Sequence, residues 1–345
     1  MFKSKCVPLS VAWELTLNCN MNCMHCGSSA GGARSNELTT KQALDIVDEL
    51  CDLKAKYVNF TGGEPILRDD WVKIGQKVRD LGMELSILSN GLRIDEKVIP
   101  TFRKLDMYGI AISIDGGKAE THDKIRGVRG SFDKCLNALD LLKKENLPAT
   151  VITTVHKMNF KELPLIREKI IGKTKAWQIQ IAVPIGRFPR DQILSKEQFY
   201  SLALFIAATR KKYSVKELAT MGAHSIGYHS HIIRNTMVSP VWKGCQAGIT
   251  VLAIQSNGNI KGCLSLPDEG FIEGNVKNDS LKDIWNSPDF CSFTRNFDKS
   301  ELKDHCKECK YGKSCKGGCT TASVSLTDKM HCDPYCLYEI ENNMI

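Results

Sequence analysis

The chain has 345 residues, 42% apolar and 25% charged, with 47 basic against 39 acidic residues for a formal charge of +8. That length suits two folded units, and no apolar run approaches the roughly 18 residues that a membrane helix needs. The charges are mixed, with no block of five alike, so the basic excess is not a nucleic-acid footprint and neither nucleic acid nor membrane is expected as a partner.

The start, MFKSKCVPLSVAWEL, has two lysines and a short apolar stretch, but Glu14 follows quickly and no small-residue cleavage site appears. It reads as a mature cytoplasmic protein. The fifteen cysteines are then thiols held for metal or cluster binding rather than a disulfide scaffold, and their odd number argues the same way.

From about residue 11 to residue 183 a short β-branched run, a polar or glycine-rich turn and a helical stretch alternate. The runs VAWELTL, KYVNFT, MELSILS, MYGIAISI, ATVITTV and AWQIQIAV predict six parallel strands with right-handed crossovers. The first helix is expected after Thr39, with Gln42 as its capping-box partner and apolar residues at 43, 44, 46, 47, 50 and 53 on one face. Cys51 and Cys135 read as small buried hydrophobes. Residues 195–240 read as a mainly helical bridge. The last 105 residues, 241–345, hold nine cysteines and nine glycines and predict a compact, loop-rich, metal-dependent unit.

In parallel β/α architectures the reactive groups gather where strands end. After the first strand comes LNCNMNCMHCG, with Cys19, Cys23 and Cys26. After the second comes TGGEP, after the third SNG, and after the fourth SIDGG followed by Arg126. Beside a cysteine cluster, Gly62 and Gly63 read as backbone opened to a ligand. Glu64 offers a carboxylate, and Arg126 a guanidinium suited to bidentate capture of a carboxylate. A site with both suits an amino-acid-like zwitterion.

On these residues the chain resembles the radical S-adenosylmethionine enzymes: Cys19-x3-Cys23-x2-Cys26 matches their signature, with the GGE loop at 62–64 at the expected distance. The resemblance implies a [4Fe-4S] cluster on the three cysteines, its fourth iron chelated by S-adenosyl-L-methionine. It further implies that Gly62, Gly63 and Glu64 contact that cofactor, that Ser113 and Arg126 bind its carboxylate, and that Asn90 lies near its ribose. His25 stands where the family commonly has an aromatic residue near the adenine.

The second array runs Cys245-x12-Gly258-x4-Cys263, Cys306-x2-Cys309-x5-Cys315-x3-Cys319, then Cys332 and Cys336. One tetrahedral zinc is the plain alternative, but the thiols exceed what one zinc needs. The spacing resembles the SPASM extension of the same enzymes, which implies two auxiliary iron-sulfur clusters and three [4Fe-4S] clusters in all. Cys245, Cys263 and Cys319 would serve the first auxiliary cluster, and Cys306, Cys309, Cys315 and Cys336 the second. Cys332 is the alternative terminal ligand, or completes the first cluster, where Val251 stands in place of a further cysteine; otherwise that cluster has an open iron.

The resemblance thus implies an α/β fold: a partial (β/α)6 TIM-type barrel over 1–194, a helical bridge over 195–240 and a small cysteine-rich SPASM domain over 241–345. It implies an oxidoreductase that cleaves S-adenosylmethionine to a 5′-deoxyadenosyl radical and abstracts a hydrogen atom. The substrate expected is a ribosomally made peptide undergoing crosslinking, epimerisation or oxidation. The alternatives are a haem precursor or, without catalysis, a zinc or iron-sulfur binding module. Leu264, where the sulfatase-maturing branch has an aspartate, disfavours that branch. The short N-terminus leaves leader recognition to a separate binding protein or to the barrel, and a flavodoxin or ferredoxin would supply electrons. Asp268 and Glu269 are candidate proton acceptors, with loop solvation the plainer reading. His224, His229 and His231 invite a ligand or relay role against the plainer reading of scattered surface or core residues. Cys6 and Cys291 receive no role.

Overall fold

A computed structural model describes residues 6–223, 226, 228–233 and 242–344. Ten strands occur among them: β1 (Ser10–Thr16), β2 (Tyr57–Gly62), β3 (Glu84–Ser89), β4 (Gly109–Ser113), β5 (Ala149–Val155), β6 (Ala176–Ile181), β7 (Ala219–Gly222), β8 (Val251–Ile254), β9 (Asn259–Lys261) and β10 (Gly274–Asn275). The helices between the first seven include α1 (Thr40–Asp52), α2 (Trp71–Asp80), α3 (Ile99–Lys104), α4 (Ala119–Arg126), α5 (Ser131–Lys144), α6 (Leu163–Ile170) and α7 (Lys196–Lys212). The fold is α/β with an open parallel sheet, a partial barrel with the six strands expected between residues 11 and 183.

The chain divides into two compact units, each assembled from three segments. The first takes residues 1–20, 30–110 and 246–297; the second takes 21–29, 111–245 and 298–345.

In the first unit β1 pairs in parallel with β2, and β2 with β3. Burial alternates along β3, which puts Leu85 and Ile87 under helices while Glu84 and Ser86 stay half-buried. That two-residue alternation is the strand period. Trp13 and Phe60 meet edge to face at 6.0 Å in the core, a preferred aromatic geometry. Helix α1 starts as its sequence predicts: Thr39 accepts from the Gln42 N–H, and Gln42 reaches back to Thr39 N. Cys51 is half-buried rather than fully buried, because it lies beside the apolar stripe, with its Sγ 3.9 Å from the Leu81 carbonyl.

The other edge of β1 is covered by β8, paired in parallel from Ser10 with Val251 to Trp13 with Ile254; β9 and β10 then add antiparallel strands. An uncovered edge would leave a row of unpaired backbone groups. Part of the cysteine-rich tail therefore continues this unit's sheet.

In the second unit β5, β6 and β7 run parallel in that order. Strand β7 lies within a segment whose sequence reads as mainly helical; its four residues are too few to show a period, and its pairing with β6 fixes it. The core gathers Val151, Val155, Trp177, Ile179, Ile166 and Phe199, and Trp177 Nε1 donates to Thr153 Oγ1 at 2.9 Å. Cys135 is fully buried, as its helix position predicts. Among the described residues no helix is long and apolar enough to cross a membrane, and no disulfide joins any of the fifteen cysteines.

Candidate functional site

Leaving β1, the chain enters the cysteine run and crosses from the first unit to the second at residue 21. On the first unit's side Cys19 N donates to the Gly31 carbonyl at 2.7 Å. The GGE loop packs on the same stretch, with Gly63 N donating to Thr16 O and Glu64 N to Asn18 O, each at 2.8 Å. A Cβ on Gly62 would meet Thr16 O, and one on Gly63 would meet Asn18 O and Leu17 O. Close approach of backbone to backbone is thus one reason that both positions are glycine.

Glu64 is fully buried, and its Oε2 accepts from Ser89 Oγ at 3.1 Å and from Asn90 N at 2.7 Å. Asn90 in turn donates to Asn20 Oδ1 at 2.7 Å, with its Nδ2 3.9 Å from Cys19 Sγ. The TGGEP and SNG loops are therefore locked to each other and to the first cysteine.

On the second unit's side, the loop is held through its carbonyls. Arg187 Nε donates to Cys23 O, and Arg187 N to Cys26 O, both at 3.1 Å. Gly186, at φ 56°, lies where a Cβ would run into Cys26 O, a conformation that favours glycine. Ser113 closes β4, and its carbonyl faces Cys135 Sγ at 3.7 Å.

A buried charge network lies behind this half of the loop. Arg126 Nη1 donates to Cys23 Sγ at 3.3 Å, while its Nε lies 3.3 Å from Asp115 Oδ2. His25 Nε2 lies 3.4 Å from the same Asp115 oxygen, and its ring stands 5.9 Å from that of His156. Burial opposes charge on Arg126, yet the Cys23 sulfur and Asp115 hold it protonated beyond its ordinary range. Burial also pushes the Asp115 carboxyl up, but the Arg126 charge and the hydrogen bond from Thr154 N outweigh it and leave the group below the usual carboxylate range. Burial dominates at His25 and carries its imidazole down to about 4 against the pull of Asp115, so the ring is neutral near pH 7. Arg126 Nη2 is buried without a hydrogen-bond partner. Such a donor costs about 1–3 kcal/mol, more when charged, and an anionic ligand group would satisfy it.

Asp115 and His156 join this network although no motif in the sequence marks them as site residues. The position of the SIDGG carboxylate at the end of β4 is still a usable signal for Asp115; His156, on the loop after β5, has none.

Of the C-terminal thiols, Cys306, Cys309, Cys315 and Cys336 line one cavity of about 280 Å³. Burial pushes the thiols of Cys315 and Cys336 up to about 12, as expected of sulfurs that lose their protons only to a bound cation or cluster. Cys332 is not among the lining residues: its Sγ lies 3.3 Å from Asp304 Oδ2 and 3.9 Å from His305 Nδ1. A hydrogen bond between the Cys306 and Cys332 sulfurs lowers Cys332 to about 6 and raises Cys306 well above the thiol range.

Cys245 and Cys319 lie in the second unit and Cys263 in the first. Cys319 caps the helix Thr320–Thr327, and its N–H donates to the buried Asp333, which also accepts from Tyr228 at 2.7 Å. Three residues past Cys263, the Leu266 carbonyl accepts from the buried Lys261 ammonium. Asp268 accepts from Lys261 at 2.8 Å and Gln255 at 2.7 Å. Burial raises the Asp268 carboxyl, but Lys261 and Gln255 hold it below its ordinary range, which makes it a weak proton acceptor. Glu269 is exposed. His231 is exposed with its Nε2 3.1 Å from Asn342 Oδ1, His229 lines the cysteine cavity, and His224 lies outside the described residues.

Residues 13–170 match a family model described as the radical SAM superfamily, and residues 245–310 match SPASM, an iron-sulfur cluster-binding domain. The AdoMet-dependent heme synthase of Methanosarcina barkeri is 29% identical over 343 residues, 96% of this chain and 97% of that protein. The mycofactocin maturase MftC of Mycolicibacterium smegmatis is 28% identical over 324 residues, 91% of this chain and 79% of that one. Among solved structures, Streptococcus suis SuiB bound to precursor peptide SuiA superposes with a TM-score of 0.77 at 18% identity, over 96% of this chain and 76% of that one. Native anSMEcpe with bound AdoMet gives 0.74 at 18% identity, over 97% of this chain and 96% of that one. These likenesses to solved structures show the fold.

Proposed function

The chain is a radical SAM enzyme with a SPASM domain, and from that premise we propose that it is an oxidoreductase with three [4Fe-4S] clusters, one for cleavage and two auxiliary. The observation that carries the proposal is the cavity lined by four cysteines in the second unit, at a distance in sequence from the three-cysteine run. Four thiols close a site, whereas three leave a position for a ligand. When bound, one cluster would supply the electron that cleaves S-adenosylmethionine to methionine and the radical that takes a hydrogen atom from substrate, and the auxiliary clusters would accept the electron left on the substrate.

The chain's own residues bind and orient. Cys19, Cys23 and Cys26 would hold the first cluster, with Asn90 and Arg187 fixing their loop. Arg126, charged and with a buried unpartnered Nη2, would take the cofactor's carboxylate together with Ser113, and Gly62, Gly63 and Glu64 would make the contacts with the cofactor that the family resemblance implies. Neutral His25 would stand near the adenine, held by Asp115. Cys306, Cys309, Cys315 and Cys336 would hold the second auxiliary cluster, and Cys245, Cys263 and Cys319 the first. Cys332 would serve as neighbour rather than ligand.

The substrate we propose is a ribosomally made peptide, as the likeness to a mycofactocin maturase supports; leader recognition would fall to a partner, and a flavodoxin or ferredoxin would deliver electrons. One observation favours a haem precursor instead: the alignment with a heme synthase runs over nearly the whole of both chains. The test is anaerobic reconstitution, followed by incubation with reductant, S-adenosylmethionine and each deuterated candidate. Deuterium in 5′-deoxyadenosine with a precursor peptide supports the first reading, and with an iron porphyrin carboxylate the second. Bound zinc without cleavage of S-adenosylmethionine would sink both.

A further inference from the structure

The cavity that gathers Cys306, Cys309, Cys315 and Cys336 is also lined by two imidazoles, His229 and His305. They come from separate stretches of the second unit, and each is oriented by a neighbour. The His229 ring stacks on Tyr311, with centroids 4.0 Å apart and planes within 4°. Tyr311 in turn meets Tyr338 edge to face at 5.0 Å. His305 precedes the first lining cysteine in the turn Asp304–Cys306, and its Nδ1 faces Cys332 Sγ at 3.9 Å.

The opposite nitrogen of both rings, Nε2, is buried and has no hydrogen-bond partner. A buried polar atom left unpaired costs about 1–3 kcal/mol, and two on the wall of one thiol-lined cavity point to a common partner within it. An iron-sulfur cluster presents sulfide and cysteinyl sulfurs as acceptors. Hydrogen bonds to those sulfurs stabilise the more negative, reduced state and raise the reduction potential.

We propose that His229 and His305 are positioning and tuning residues of the second auxiliary cluster, donating Nε2–H hydrogen bonds to its sulfurs and holding its potential up as an electron acceptor. This rests on the reading that the four cysteines hold such a cluster. It also gives Cys332 a role other than ligand: with Cys306 committed to the cluster, the Cys332 thiol donates to His305 Nδ1 and fixes the tautomer that carries the Nε2 hydrogen.

The test uses full-length, reconstituted protein with Cys19, Cys23 and Cys26 replaced by Ala, so that only auxiliary clusters report. Iron content is measured, and the clusters are titrated by EPR against solution potential. His229→Phe keeps an aromatic ring against Tyr311 but loses the donor; His229→Gln keeps an N–H donor. With iron content unchanged, His229→Phe should make one auxiliary cluster about tenfold harder to reduce at fixed potential, or about 59 mV for a one-electron couple. His229→Gln should restore most of that shift. Full iron content with an unmoved potential in both His229→Phe and His305→Phe overturns the inference and leaves the cluster reading intact. Should His229→Phe lose iron, the His305→Phe titration decides alone. If Cys306→Ala removes no iron from this background, the four thiols hold no cluster, and the underlying reading falls together with the inference.

Discussion

The two cysteine sites differ in what surrounds the sulfur. The N-terminal run places three thiols within eight residues, and although Asn90 and Arg126 reach two of its sulfurs, its loop is held chiefly through backbone groups: Cys19 N on Gly31 O, Arg187 on the carbonyls of Cys23 and Cys26. The C-terminal cavity gathers thiols spread from residue 306 to residue 336, and its wall is made of side chains, including Tyr311, Tyr338 and the two imidazoles. A short run with few ligands suits a site that must admit a further molecule. A side-chain shell suits a centre whose task is to hold a potential.

The largest effects should come from removing thiols at one site and reading the other. With Cys19, Cys23 and Cys26 changed to Ala, formation of 5′-deoxyadenosine should fall to assay background. With Cys306 and Cys309 changed to Ala, cleavage of S-adenosylmethionine should persist while turnover to product stops and iron drops by about four per chain. Chromatography of 5′-deoxyadenosine beside an iron assay checks both; loss of cleavage in the second variant would erase the proposed division of labour. Next in size is a sharper cut within the cavity. Cys336→Ser should cost about four irons, whereas Cys332→Ser, whose sulfur lies beside Asp304 outside the lining, should retain them. Equal iron loss in the two would return Cys332 to the ligand set.

A third effect is on stability. Asp115 is 1% exposed and faces Arg126 and His25 through one oxygen. Asp115→Asn keeps the shape but leaves the Arg126 charge buried and short of its counterion, a change that costs about 3 kcal/mol or more. Urea unfolding should show the loss even without clusters, which separates it from the thiol variants. An unchanged midpoint would mean that the Cys23 sulfur alone satisfies Arg126.

The same contrast sets how much the sequence discloses. Cys19-x3-Cys23-x2-Cys26 is legible because consecutive residues on one loop must share a site, and the six strands are legible because each carries its own β-branched run. Strands β7 to β10 are only two to four residues long; their pairing partners create them, so no local pattern announces them. Spacing prefers Cys336 over Cys332, and only tertiary structure adds that Cys332 lies beside Asp304 and off the cavity wall. His229 and His305 carry no motif at all. Only the chain brought round to the cavity distinguishes them from His231, which reaches Asn342 at the surface.

The smallest effect tests whether the N-terminal site is held by backbone as firmly as the comparison requires. Gly63 needs no unusual φ; it is glycine because a Cβ would meet the carbonyls of Leu17 and Asn18. The loop cannot retreat without losing the bonds from Gly63 N to Thr16 O and from Glu64 N to Asn18 O. Gly63→Ala should therefore cost about 1–3 kcal/mol of overpacking strain, seen as a lower melting temperature. The displaced segment, residues 17 and 18, leads directly into Cys19. Iron should consequently be lost from the N-terminal site first, with the auxiliary signals retained. A variant that melts early yet keeps all its iron would mean that the cysteine loop adjusts independently of the GGE loop, and that its geometry is set mainly from the second unit's side, by Arg187 and Arg126.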